Sequence, residues 1–265
     1  QRCDDGSLAV SLWTTGDMAI AFCTCNPCQI ESSVHDPVKA GPAARKELRP
    51  LHVFESGVTY AGEWLGSLRH GCGVQVWPDG ARYEGEWVSG RVCGEGRFEH
   101  SNGDVYQGQW VADKAHGKGI FKNADGSKYS GEWKDDKQHG EGCEVWPDGA
   151  RYEGQYCFNS RHGHGKLTCA DGSKFQGQFI DNQLHGRGTY EWNDGRKYEG
   201  EWFESRMHGN GSFMWADGKS YKGQYVNDLK EGRGIFASPE GCSYEGEFKA
   251  GRQHGTGIYI DQEGK

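Results

Sequence analysis

Aromatic residues and glycines alternate in short stretches along most of the chain, and the alternation has a period of two. The stretch YEGEW at residues 83–87 is one example, with an aromatic residue, a carboxylate, a glycine, a carboxylate and a second aromatic residue. Since successive side chains of a strand point to opposite faces, one face carries Tyr83, Gly85 and Trp87 and the other carries the carboxylates. The pattern predicts a β-strand with one aromatic and one polar face.

This stretch occurs nine times, and each copy starts 23 residues after the one before it, without an insertion. The copies start at Tyr60, Tyr83, Tyr106, Tyr129, Tyr152, Phe175, Tyr198, Tyr221 and Tyr244. A Gly-x-Gly pair follows in every copy, from Gly71 and Gly73 to Gly255 and Gly257, and a histidine precedes it in most of them. A constant period of this length indicates an array of equivalent supersecondary units.

Each unit reads as a two-stranded hairpin that carries its glycines and aromatic residues on one face. The Asp79-Gly80 pair and its equivalents predict a type I′ turn from one unit to the next. Glycine weakens a strand unless another group packs closely on the bare backbone, so we expect aromatic rings to lie over the glycines. We expect the opposite face to be solvated, with Glu63, Glu86 and equivalent carboxylates forming cross-strand pairs with basic residues.

The consensus Y-x-G-x-W-x5-H-G-x-G-x5-D-G, which covers residues from about 53 to 265, resembles the MORN repeat (membrane occupation and recognition nexus). The predicted fold is all-β, an elongated single-layer twisted antiparallel sheet of nine 23-residue MORN hairpins. Residues 1–52 are predicted to form an irregular N-terminal extension. We expect a short capping hairpin at 11–22 and a linker or partner-binding arm at 35–50.

Composition and charge narrow the function classes. The formal net charge is −8, so a broad nucleic-acid surface is not expected. No apolar run approaches the roughly 20 residues that span a bilayer as a helix. Of the ten cysteines, those from residue 72 onward are scattered over different positions of the unit, which predicts a reducing compartment rather than a disulfide framework.

No catalytic residue or cofactor is predicted. The repeated histidines belong to hairpins about 9–10 Å apart, too far to share one zinc ion, so a turn-stabilising bond from imidazole to backbone is the preferred interpretation. Cys23, Cys25 and Cys28 form a weak candidate metal site, and ordinary reduced cysteines are the alternative that we favour. No phosphate-binding loop or nucleophile elbow occurs, so we do not expect an enzyme.

The resemblance implies that the protein acts as a structural scaffold, because free-standing MORN arrays occur in radial spokes and in cytoskeletal structures. We expect an aromatic groove that holds a helix or extended peptide of a partner within a ciliary (axonemal) or cortical cytoskeletal assembly. The localisation expected is therefore cytoplasmic, at the cytoskeleton or cilium. The candidate groove residues are Tyr106, Trp110, Tyr129, Trp133, Trp192, Tyr198, Trp202 and Trp215.

Two other functions stay open, together with homodimerisation. A phosphoinositide-binding membrane adaptor would use the basic residues that precede the first aromatic residue of a unit, although neighbouring glutamates and the negative net charge argue against it. These basic residues are Arg82, Lys128, Arg151, Lys174 and Lys197. The second alternative is an accessory subunit of an organellar enzyme complex.

Overall fold

The computed structural model describes residues 45–265, and every regular element in this range is a β-strand. The described chain divides into two compact units between Gly140 and Glu141. The first unit contains β1 Lys46–Val53, β2 Thr59–Leu65, β3 Leu68–Val76, β4 Arg82–Val88, β5 Arg91–Glu99, β6 Val105–Val111, β7 Lys114–Lys122 and β8 Lys128–Lys134. Strand β9, Lys137–Val145, crosses the division.

The second unit contains ten strands, and within residues 45–265 no helix is long and apolar enough to cross a bilayer. Its strands are β10 Arg151–Cys157, β11 Ser160–Thr168, β12 Lys174–Ile180, β13 Gln183–Glu191, β14 Lys197–Phe203, β15 Arg206–Met214, β16 Ser220–Val226, β17 Leu229–Ala237, β18 Ser243–Lys249 and β19 Arg252–Ile260. In each unit, consecutive strands pair antiparallel in a single layer. The predicted all-β fold of antiparallel hairpins is confirmed.

Strand β1 lies across the boundary predicted between residues 52 and 53. It pairs antiparallel with β2, with Lys46 opposite Leu65 and Val53 opposite Thr59. Residues 46–50, which the sequence suggested as linker, are therefore part of the sheet. The predicted capping hairpin at 11–22 lies outside the described residues.

A row of glycines crosses the sheet at right angles to the strands. Gly62 pairs with Gly73, Gly73 with Gly85, and Gly85 with Gly96, and the same register continues through the first unit. A Cβ atom on Gly85 would lie 2.5 Å from the Cα atom of Gly96. Because no side chain fits between neighbours this close, each strand from β2 to β8 contributes a glycine to the row, whereas the edge strand β1 places Arg49 opposite Gly62.

The first aromatic ring of each repeat lies over this glycine row, as the sequence predicted. A Cβ atom on Gly96 would lie within 2.6 Å of two ring carbons of Tyr83, and the Tyr83 hydroxyl donates a 3.1 Å hydrogen bond to the Glu86 carbonyl. Trp87 and Trp110 contact the same ring edge to face, with centroid distances of 5.2 and 5.6 Å. Each buried tyrosine therefore joins its own repeat to the next, contributing about 1.5–3 kcal/mol by burial alone.

The glutamates expected to form cross-strand ion pairs have a different role. Glu63 bends over Gly71, whose φ is +66°, and its Oε2 accepts a 2.9 Å bond from the amide of Cys72. Glu201 accepts from the amide of Asn210 in the same way. These side chains cap a β-bulge in each hairpin, which explains why glutamine also occupies the position in several repeats.

The turn prediction was wrong in type, although the Asp-Gly pairs do turn the chain. Gly80 has φ +91° and its amide donates to the Trp77 carbonyl, while Asp79 keeps a negative φ and its Oδ1 accepts from the Ala81 amide. This geometry is a three-residue loop with an Asx turn. Paired positive φ values, which a type I′ turn requires, occur instead in two-residue loops such as Ala112-Asp113, at +49° and +71°.

We expect Gly96→Ala to destabilise the protein by about 1–3 kcal/mol, because the added methyl group overlaps the Tyr83 ring. Urea denaturation monitored by circular dichroism measures the loss. The matched control is the double variant with Tyr83→Ala, in which the overlap is gone and the cost of Gly96→Ala falls. Strictly additive costs for the two substitutions would contradict the ring contact as the cause.

Candidate functional site

An open cavity of about 570 Å³ lies on the aromatic face of the first unit, within the size range of ligand sites. We call it the aromatic groove. It is lined by Arg69, Gln75, Trp77, Tyr83, Trp87, Val92, Phe98, His100, Tyr106, Trp110, Asp113, Ala115, Phe121, Trp133 and Asp136. Rings from two rows meet along it, since Phe98 lies 6.3 Å from Trp110 and Phe121 lies 6.1 Å from Trp133.

The groove is open because one repeat position carries small side chains there. We call this the cover position, the second residue of the second strand in each hairpin. It holds Arg69, Val92 and Ala115 in β3, β5 and β7, and Arg161, Leu184, Met207 and Lys230 in β11, β13, β15 and β17. Val92 and Ala115 are buried, but they are too short to lie across the neighbouring rings.

Long cover residues fold over the aromatic face. The guanidinium of Arg69 lies 4.3 Å from the Trp87 ring centroid and donates a 2.8 Å bond to the Gly90 carbonyl. In the second unit, the Lys230 ammonium lies 4.6 to 5.9 Å from the ring centroids of Trp215, Tyr221, Phe236 and Phe248. In some repeats, therefore, the array covers its aromatic face with its own cations. In the repeats that carry Val92 and Ala115 at the cover position, the face stays open.

Two carboxylates line the open part of the groove. The Oδ1 atom of Asp113 accepts a 2.8 Å bond from the amide of Val92, and Asp136 accepts a 2.7 Å bond from the amide of Ala115. Each aspartate also donates its own amide to the carbonyl of the same cover residue, at 3.0 Å. Both residues occupy the second, positive-φ position of a two-residue loop, so the turn fixes where the carboxylate sits.

The residues predicted for a groove separate into three groups. Tyr106, Trp110 and Trp133 line the aromatic groove. Tyr129, Tyr198 and Trp202 are buried packing residues. Trp192 and Trp215 are half-buried in the second unit, beneath Arg196 and Lys230 respectively.

Sequence reasoning missed the two small residues that leave the groove open, Val92 and Ala115. It also missed the two aspartates that give the groove its negative charge, Asp113 and Asp136. Their signal is present in the sequence, because the cover position is large in most other repeats and small only at these two among the cover residues named above. The aromatic residues recur throughout the array and therefore do not distinguish one repeat from another.

The basic residues considered for lipid contact are spread along the strands, and three of them have carboxylate partners. Arg82 pairs with Glu84 at 2.6 Å, and Lys197 pairs with Glu191 at 2.9 Å. Arg151 pairs with Glu153, while Lys128 and Lys174 are exposed. Exposed ion pairs of this kind stabilise a fold little, and the pairing neutralises much of the local positive charge.

The histidines and cysteines show no metal-binding arrangement in the part of the chain that the structure describes. His70 accepts a 3.3 Å bond at Nδ1 from the amide of Ser89, which is the backbone contact expected of this position. The Nδ1 atom of His208 has no such partner. Cys23, Cys25 and Cys28 lie outside the described residues.

Nine successive segments of the chain match the MORN repeat family: residues 60–82, 83–105, 106–128, 129–151, 152–174, 175–195, 198–220, 221–243 and 244–265. The chain therefore belongs to the MORN-repeat family. This repeat is a scaffold-type module that is generally non-catalytic. Among curated proteins, no sequence matches this chain.

Solved structures similar to the chain include domains of CPAP and SAS-4. The TCP10 domain of Danio rerio CPAP has a TM-score of 0.41 and 10% identity, with 75% of this chain and 94% of that domain covered. The TCP domain of SAS-4 from Drosophila melanogaster, solved with a proline-rich motif of Ana2, has a TM-score of 0.33 and 12% identity, covering 68% and 85%. At such low TM-scores these similarities carry no functional conclusion.

We expect alkaline pH to destabilise the protein from about pH 10 upward. Burial raises the pKa of Tyr60 to about 12, although Arg69 lowers it, and burial raises the pKa values of Tyr83 and Tyr106 as well. An unfolded tyrosine ionises near pH 10, so above that pH the unfolded chain binds fewer protons than the folded one and stability falls.

Urea midpoints measured from about pH 8 to about pH 11 test this expectation. Tyrosinate absorbance should rise together with the loss of the folded circular dichroism signal. If tyrosinate forms near pH 10 while the sheet stays folded, the buried tyrosines are not protected as the structure indicates.

Proposed function

We propose that this MORN array is a scaffold that holds a peptide segment of a partner protein in the aromatic groove between Arg69 and Asp136. The observation that carries the proposal is the pair of small cover residues, Val92 and Ala115. They leave aromatic side chains accessible that Arg69 and Lys230 cover elsewhere in the array.

The groove has the features of a peptide site. Its lining combines large, rigid aromatic side chains, which give contact area at low cost in conformational entropy, with a few polar groups at fixed positions. Trp110, Phe98 and Phe121 are only partly buried, so a partner can gain apolar contact there. The backbone around them is held by the glycine row and by paired strands, so the site is preorganised.

The cellular setting is proposed from the family resemblance. MORN arrays occur in ciliary and cortical cytoskeletal assemblies, so we expect the tagged protein to concentrate at cilia or the cell cortex. Fluorescence microscopy of ciliated cells measures the distribution. Concentration within an organelle would overturn this setting and favour the accessory-subunit alternative.

We expect Ala115→Arg to abolish peptide binding, since an arginine at this position would lie over Trp133 as Arg69 lies over Trp87. Peptides selected from a random display library against the full chain are synthesised, and their affinities are measured by fluorescence polarisation. A loss of at least about tenfold in affinity is expected, which corresponds to about 1.4 kcal/mol. Arginine is tolerated at this position in two other repeats, so the variant should fold.

The matched control is Leu184→Arg, which adds the same side chain at a cover position in the second unit. Its affinity for the selected peptides should equal that of the wild type. Equal binding by Ala115→Arg and the wild type would remove the groove as the binding site. Sedimentation adds a further outcome: if Ala115→Arg converts a wild-type dimer to monomer, the occupant is a second copy and not a partner peptide.

A further inference from the structure

Resting on the proposed function, we propose further that the groove selects a basic peptide. Arginine or lysine side chains of the partner would insert beside Val92 and Ala115, between the tryptophan rings and the carboxylates of Asp113 and Asp136. The partner's cations would take the place that the array fills with its own cations in other repeats.

The first support is the behaviour of the array's own cover residues. Arg69 stacks on Trp87, and Lys230 sits among four aromatic rings. Aromatic faces attract cations through their quadrupole, most strongly where water is excluded. The same kind of ring surface lines the groove at the half-buried Trp110 and beside Trp133, so it presents the chemistry that already holds a guanidinium one repeat away.

The second support is the residue of the following loop whose amide donates a hydrogen bond to the carbonyl of the cover residue. We call this loop residue the clamp. Where the cover residue is Arg69 or Lys230, the clamp is glycine, at Gly90 and Gly251. Where the cover residue is small, the clamp is an aspartate that lines the groove. The aspartates therefore hold cover residues that are not cations: Asp113 and Asp136 hold the two small ones, and Asp228 holds Met207.

The charge of Asp113 acts on one cation of this face, the Arg69 guanidinium. Burial lowers the pKa of the Arg69 guanidinium, and the nearby charge of Asp113 acts in the opposite direction and raises it. Neither Asp113 nor Asp136 forms an ion pair with a basic side chain among the described residues. The formal net charge of −8 adds a general attraction for a basic segment.

The spacing of the two carboxylates suggests the form of a suitable peptide. Adjacent repeats are offset by two strands, about 9.6 Å at ~4.8 Å per strand. A polyproline II peptide returns to the same side every three residues, about 9.3 Å. Arginines at every third position of such a peptide would therefore face successive repeats of the groove.

The test uses a synthetic peptide of repeated Arg-Pro-Pro triplets and a control peptide with leucine in place of arginine, both titrated against the full chain by calorimetry. We expect the arginine peptide to bind at least about tenfold more tightly than the leucine peptide. Asp113→Asn and Asp136→Asn together should lower its affinity by about tenfold, and Ala115→Arg should abolish binding.

The asparagine variants should keep the fold, because an asparagine accepts the equivalent hydrogen bond in another repeat. There the Oδ1 atom of Asn182 accepts a 2.9 Å bond from the Arg161 amide. Asp228→Asn is the matched control, since it removes the same charge beside the filled position of Met207 and should leave the affinity unchanged. An equal loss in Asp228→Asn would mean that net charge alone attracts the peptide and would overturn the proposal.

The outcomes separate this inference from the proposed function. If the leucine peptide binds as tightly as the arginine peptide, or if the arginine peptide does not bind, cation selection is wrong. In either case the groove itself stands as long as Ala115→Arg still blocks the library-selected peptides. If Ala115→Arg blocks none of them, the proposed function fails and the basic-peptide inference fails with it.

Discussion

The fold depends on one close contact, the tyrosine ring that lies across a pair of glycines. Strand neighbours approach so closely along the glycine row that a Cβ atom on Gly85 would meet the Gly96 backbone at 2.5 Å. The Tyr83 ring fills the space that side chains would otherwise take, and its hydroxyl reaches the Glu86 carbonyl. Since the ring also contacts tryptophans of two repeats, the same group sets the distance between neighbouring hairpins.

This contact explains why the repeat tolerates no insertion and yet varies elsewhere. The backbone geometry constrains which residues can occupy the glycine, tyrosine and bulge-capping positions. At the tyrosine position, the largest change in the array is the phenylalanine at 175. The cover position contributes no residue to the glycine row, and arginine, valine, alanine, leucine, methionine and lysine all occur there. A scaffold built in this way can acquire a site by shortening one side chain, without disturbing the sheet.

Periodicity was enough to predict the hairpins, the aromatic face and the glycine packing, because these follow from spacing alone. Two local predictions failed for physical reasons. The Asp79-Gly80 pair resembles a type I′ turn, but the Trp77 amide bonds to the Ala81 carbonyl around a three-residue loop, and the tight loops form at Ala112-Asp113 and its equivalents. Glu63 was expected to pair with a base, whereas the bulge at Gly71 leaves an amide that the carboxylate satisfies better.

The site was harder to predict than the fold because it is a departure from the repeat and not part of it. An aspartate in the two-residue loop has a structural explanation that is sufficient by itself, since its Oδ1 atom holds the amide of the preceding repeat. Asparagine at 182 and serine at 205 hold that amide as well. The hydrogen bond therefore does not require a negative charge. The charge at Asp113 and Asp136 is the part that the fold leaves unexplained, and it occurs where the aromatic face is open.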